Sequence, residues 1–260
     1  LTGRYYPRTG VHGVSGGAET MRSEEVTIAE VLKAAGYATG CFGKWHNGAH
    51  YPHHPLGQGF DEYLGICCGH WNNYFDIVMD HNGKPEQTRG YVTDVLTDAA
   101  LEFIERNRQK PFFVYLPYNT PHSPMQVPDK YFDKYVARGL DPRTACIYGM
   151  CECIDYNVGR LLARLDALGL GEDTIVVFTS DNGPQFGGEG EECLDRFNCG
   201  FRGAKFSVYE GGIRVPALLR WPAGLEGGRT VDAMVHFCDW LPTLVAMAGA
   251  RRPADAPRLD

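Results

Sequence analysis

Six residues have the types and spacings that chemistry requires. Asp181 and Asn182 adjoin one another and offer a carboxylate beside an amide oxygen. That pair suits a hard cation such as Ca²⁺ or Mg²⁺ better than it suits a thiolate-loving metal. Taken alone, Asp181-Asn182-Gly183 also reads as an ordinary turn. Lys44 and His46 are two residues apart, so in an extended segment their side chains point to one side. A cation beside a titratable imidazole fits an anionic substrate whose leaving group needs a proton. The plainer alternative is a surface lysine next to a structural histidine. His122 lies between Pro121 and Pro124, in a loop stiffened against helix formation, and is a candidate acid or base. Lys205 sits in a Gly-punctuated segment, where a solvated lysine is the simple reading.

Other groups carry less. His50, His53 and His54 cluster in one loop, but their spacing matches neither helix nor strand. An exposed or substrate-facing loop suits them better than a metal site. These residues include no nucleophile, and no Cys has a basic partner in sequence. Asp181 and Asn182 alone are also short of the roughly six to eight oxygens that Ca²⁺ takes.

The elements that must position these residues alternate. Thr27 to Glu30 reads as a capping box with Val26 and Val31 as a hydrophobic staple. Ile28, Val31, Leu32 and Ala35 follow helical spacing up to Gly36. A second helix shows Leu96, Ala99, Ala100, Phe103 and Ile104 on one face. The longest carries Ile147, Met150, Cys151, Ile154, Val158, Leu161, Leu162, Leu165 and Leu168, with Gly169 past its end. Between the helices run nearly unbroken apolar stretches: Tyr37 to Phe42, Phe112 to Leu116, Ile175 to Thr179, and Val215 to Trp221. Continuous apolarity predicts strands buried on both faces, hence a layered α/β fold with a mostly parallel central sheet. In such sheets ligands gather beyond the carboxyl ends of the strands, where Lys44, His46, His122, Asp181 and Asn182 fall, while Lys205 lies ahead of the fourth run.

Composition narrows the class. Hydrophobic residues make up 43% and charged residues 22% of the 260, which excludes a disordered chain, a collagen-like repeat and a coiled coil. No apolar run approaches the roughly 20 residues that span a bilayer. A formal net charge of −7 leaves no basic footprint for nucleic acid. The nine cysteines are an odd number and read as mostly buried thiols, with Cys193 and Cys199 the pair to test for a disulfide.

The motifs together resemble the sulfatase family, of the alkaline-phosphatase-like superfamily. Leu1-Thr2-Gly3-Arg4 resembles the tail of the family's activation signature. Gly43-Lys44-Trp45-His46 matches its Gly-Lys-Trp-His signature, and Pro55 to Gly65, with Gly59-Phe60-Asp61, the segment usually found after it. Pro121 to Pro124, Asp181-Asn182-Gly183, Glu210 to Pro216 and Asp239 to Thr243 come in family order. The resemblance implies an α/β/α sandwich and hydrolysis of an aryl or carbohydrate sulfate ester. The implied nucleophile is a formylglycine made from Cys or Ser, whose hydrate attacks sulfur with help from a divalent cation, usually Ca²⁺. Asp181 and Asn182 would be two ligands of that cation. Lys44, His122 and Lys205 would hold the sulfate, His122 protonating the leaving oxygen, and His46 would assist at the nucleophile. The activation signature and the smaller C-terminal domain are expected outside residues 1–260. The chain is therefore read as one partial catalytic domain, truncated at both ends and inactive alone. Asn47 replaces the Leu common after Lys-Trp-His. The implied partners are a small-molecule or glycan sulfate ester and a formylglycine-generating maturation enzyme, with a periplasmic or extracellular location by family habit. A phosphodiesterase or phosphatase of the same superfamily, and a non-catalytic binding protein that kept the fold, are the alternatives.

Overall fold

Residues 1–185 and 196–260 are described by the computed structural model, which divides into two units: Leu1–Gln126 with Asp232–Asp260, and Val127–Val231. In the first unit Thr27 caps helix α1 (Ile28–Ala34) as its sequence predicts. Its hydroxyl accepts from Glu30 N, and the Glu30 carboxylate accepts from Thr27 N at 2.7 Å, completing the capping box. The same hydroxyl donates to the Gln58 carbonyl at 2.8 Å, so the cap also ties the helix to a distant loop.

Strand β1 (Ala38–Lys44) is buried along all but its last residue. It lies between β2 (Glu62–Ile66) and β5 (Phe112–Tyr115), parallel to both. Two short strands, β3 (Val78–His81) and β4 (Lys84–Gln87), extend the sheet antiparallel beyond β2, giving the order β4-β3-β2-β1-β5. Successive side chains of β1 point to opposite faces. Cys41 packs with Ala29 of α1, Met21, Trp45, Phe60 and Tyr63. Phe42 meets Phe103 of helix α2 (Val92–Asn107), ring centroids 5.6 Å apart. Helices thus cover both faces of the sheet, which is the layered α/β arrangement with a mostly parallel centre. On the α1 side, Ile28, Val31 and Leu32 pack against Leu241 and Val245 of the late helix Trp240–Met247.

The second unit pairs helix α3 (Asp129–Val136) with the long helix α4 (Pro142–Ala167). Asp141 caps α4, accepting from Arg143 N and Thr144 N, and the helix stops at Leu168 before Gly169 at φ +70°. Strands β6 (Val176–Thr179) and β7 (Ala217–Arg220) come next, with the one-turn helix α5 (Glu210–Ile213) between them; the late helix Trp240–Met247 is α6. Here one expectation fails. The runs Ile175 to Thr179 and Val215 to Trp221 were expected to be parallel strands buried on both faces. They form an antiparallel two-stranded sheet of their own, with β7 largely exposed. An apolar run marks a strand without specifying its partner, and these two satisfy each other's backbone.

Asp61 joins three elements of the first unit. Its carboxylate accepts from Thr39 N at 3.0 Å and from the Thr39 hydroxyl at 3.1 Å, and pairs with Lys33 Nζ at 2.7 Å. Burial pushes its pKa up, but the bonds from Lys33 and Thr39 outweigh burial and hold it below the usual carboxylate value. A depressed folded pKa gives stability that is present above the unfolded pKa and lost as pH falls through the folded one. D61N should cost about 1 kcal/mol at neutral pH, the charge being partly screened by solvent. Denaturant midpoints should show that deficit closing as the pH falls below about 4.

Candidate functional site

The carboxyl end of β1 is built by backbone contact. Gly43 has φ +141°, and a Cβ there would run into the Pro117 carbonyl. Lys44 N donates to that carbonyl at 2.9 Å, Trp45 N to Ile66 O at 3.0 Å, and His46 N to Cys67 O at 3.2 Å. The segment leaving β1 is therefore held between those leaving β2 and β5. Trp45 is buried, stands edge-on to Phe60 and donates its indole N–H to the His53 carbonyl at 2.8 Å. It anchors a segment whose neighbours Lys44 and His46 are half-buried. His46 turns to φ +51° and donates from Nε2 to the Val14 carbonyl at 2.9 Å. The segment is thus not extended at His46, and the same-side reading of Lys44 and His46 from strand alternation does not apply.

His122 is exposed on the loop after β5. Its Nδ1 lies 2.9 Å from the Ser123 carbonyl, to which it donates, and His122 N donates to Asn119 O at 3.1 Å. The loop rests on buried Tyr74, whose hydroxyl is 3.0 Å from the Ser123 carbonyl and 3.2 Å from that of His122. Burial drives the Tyr74 phenol pKa far up, so the hydroxyl stays a donor.

In the second unit Asp181 and Asn182 leave β6 directly. Gly183 N donates to Gly212 O at 2.9 Å, and a Cβ on Gly183 would strike the Gly211 carbonyl. Gly211 N donates to Arg202 O at 2.8 Å, and Lys205 N donates to Pro184 O at 2.9 Å. These bonds bring Asp181, Asn182, half-buried Lys205 and α5 into one cluster of loops. Asp181 is exposed, while Asn182 donates its amide N–H to the Gly183 carbonyl at 2.8 Å. A carboxylate and an amide oxygen, with no thiol, make a donor set that suits a hard cation. Lys44, His46 and His122 belong to the first unit and Asp181, Asn182 and Lys205 to the second.

A third cluster has no signal in the sequence. Ligand atoms of His54, Cys67 and Asp80 lie within 4.8 Å of one another, close enough to hold a metal ion. The hydrogen bonds describe a brace instead. Leu56 N donates to His54 Nδ1 at 3.2 Å, so the proton sits on Nε2, which donates to Asp80 Oδ2 at 3.1 Å. A nitrogen carrying a proton has no lone pair for a metal. In the metal-free site burial pushes the Cys67 thiol up to about 11. His54, expected in an exposed or substrate-facing loop, is buried and caps the turn Pro55–Gly57. The eight described cysteines are free thiols, four of them buried; Cys193 lies outside the described residues, and with it the pairing to Cys199.

The first-unit sheet between helices, with polar loops at the strand ends, is that of the alkaline-phosphatase-like hydrolases. The sulfatase family pattern matches residues 1–250, and the chain belongs to that family. It is 30% identical to the steryl-sulfatase of Mus musculus over 350 residues, covering 98% of this chain and 54% of that protein. It is likewise 30% identical to the N-acetylgalactosamine-6-sulfatase of Mus musculus, covering 98% of this chain and 53% of the relative. The crystal structure of Ps i-CgsB in complex with k-i-k-neocarrahexaose superposes with a TM-score of 0.88 at 31% identity, covering 97% of this chain and 60% of that one. The chain thus spans about half the length of the curated relatives it matches.

The brace makes a testable claim. H54A should lower stability by about 1–3 kcal/mol, because it removes the partner of Asp80 Oδ2 and of the Leu56 N–H, while Asp80 Oδ1 keeps its bond from Gly83 N. Calorimetric titration with Zn²⁺ should give the same isotherm for H54A as for the unaltered protein. Zinc binding that disappears in H54A would restore the metal reading.

Proposed function

We propose that the protein hydrolyses a sulfate ester, and that a carbohydrate is its leaving group. The observation that carries this reading is the family match over residues 1–250 together with Lys44, His46, His122, Asp181, Asn182 and Lys205 at the family's motif positions. Kinship with Ps i-CgsB, crystallised with a neocarrahexaose, favours a sugar over an aryl group. The nucleophile that the resemblance implies, a formylglycine installed by a maturation enzyme, falls outside these 260 residues. The activity accordingly belongs to a longer chain.

Asp181 and Asn182 would hold one divalent cation, Ca²⁺ by the hardness of their oxygens. When bound, it supplies positive charge to the nucleophile and to a sulfate oxygen. Lys44 and Lys205 bind the sulfate and neutralise charge on its oxygens, fixed cations of the sort that dominate such rates. His122, its Nδ1 engaged by the Ser123 carbonyl, offers Nε2 toward the leaving oxygen and protonates it. His46 acts as a base near the nucleophile. The phosphatase alternative is disfavoured because two lysines and a single cation pair suit a monoester of lower charge than phosphate.

The test is turnover by the longer chain on matched para-nitrophenyl sulfate and phosphate. Sulfate should be preferred, and K44A, H122A and K205A should each lower kcat by roughly 10²–10³-fold. D181A should weaken calcium affinity, read by titration independently of turnover. The polypeptide 1–260 alone should stay at the uncatalysed rate. A preference for phosphate would overturn the reading.

A further inference from the structure

We propose that the loop leaving β2, Cys67–Asn72, forms a subsite for the alcohol part of the substrate, and that His70 is its specificity-determining residue. This inference deepens the sulfatase reading and rests on it. Three sets of contacts, all within the first unit, carry it.

The loop runs between the two imidazoles that the reading assigns to catalysis. Gly69 lies against the ring of His46, where a Cβ would sit 2.5 Å from Nε2 and 3.0 Å from Nδ1. One residue later, the ring of His70 stands 5.7 Å from that of His122, centroid to centroid and tilted by 59°. The backbone on either side of His70 is tied. The Cys68 thiol donates to the His70 carbonyl at 3.1 Å. Tyr74, four residues further on, holds the His122 loop through its hydroxyl and donates its backbone N–H to Gln126 Oε1 at 2.8 Å. Tyr74 thus ties the segment that follows His70 to the loop that carries His122.

The position determines what His70 can read. His122 is assigned to the leaving oxygen, so a ring in contact with it meets the atoms bonded to that oxygen rather than the far side of the sulfate. His70 is exposed, and among the described residues its ring nitrogens take no hydrogen-bond partner. A neutral imidazole offers one donor and one acceptor, which matches hydroxyls on a sugar. Half-buried Trp71 and exposed Asn72 come directly after it, adding an aromatic ring and an amide, groups that fix the orientation of a polar ligand. The ligand class is a monosulfated sugar whose only charge is the sulfate.

The experiment measures kcat/KM of the full-length matured enzyme on monosulfated galactose, N-acetylgalactosamine and N-acetylglucosamine, each relative to para-nitrophenyl sulfate. H70A should lower the sugar-to-aryl ratio about ten-fold, through a raised KM with kcat held, and H70N should restore part of it. G69A, which pushes on His46, should instead depress both substrate types and leave the ratio in place. An unchanged ratio in H70A, or a parallel fall on both types, would overturn the subsite. Unaltered enzyme that cleaves only the aryl sulfate would overturn it too. Unaltered enzyme that cleaves neither sulfate would remove the sulfatase reading, and the subsite with it.

Discussion

No side chain fits where the first-unit site begins. Gly43 of β1 stands in register with Gly65 of β2; a Cβ on Gly65 would strike the Gly43 carbonyl, and one on Gly43 the Pro117 carbonyl. Three chain segments meet there by backbone alone, a closeness that only glycine permits. The polar residues beyond β1 depend on that contact. Lys44 N is bound to Pro117 O, so the residue that offers the cation and the segment that leads to His122 share one hydrogen bond. Trp45 then plugs the core between two polar residues. Widening the strands to admit a methyl group would move Lys44 and the path to His122 together.

The second unit solves its problem in the same way with different elements. Gly183 approaches the Gly211 carbonyl, Gly183 N reaches Gly212 O, and Lys205 N reaches Pro184 O. Asp181 and Asn182 are set by loop-to-loop backbone bonds, since β6 pairs antiparallel with β7. The tendency of ligands to gather beyond parallel strands therefore does not account for how this loop is held. Backbone bonds between glycine-rich turns hold it.

How much was legible depends on how local each signal is. The α1 cap was legible because Thr27 and Glu30 are three residues apart and their reciprocal bonds need nothing else. β1 and β5 showed themselves through unbroken apolarity. β2 did not, because Glu62 opens it and Gly65 interrupts it, and β4 could not, because Lys84–Gln87 is exposed and joins the sheet through its backbone. His54 was misplaced for a related reason. Its burial depends on Asp80, 26 residues away, and no pattern in its own loop announces that partner. The polar loops stood out in the sequence by residue type, whereas their geometry did not. Alternation predicts one side for Lys44 and His46 only while the chain stays extended, and His46 leaves that state.

Charge shows why the local reading must come first. The sequence carries 32 acidic against 25 basic residues, which argues against an anionic ligand if the total is what matters. Several acids are held in pairs that brace the fold, Glu25 with Arg4, Asp61 with Lys33 and Glu62 with Arg106 among them. The remaining excess is screened by salt over roughly 8–10 Å. Lys44 and Lys205 are half-buried, where solvent screens a charge less than on an open surface. An approaching sulfate would feel the cation within a few ångströms more than the distributed acids beyond. A net charge of −7 is therefore compatible with anion chemistry, provided the backbone holds each lysine where water is partly excluded. The glycine contacts supply that condition in both units.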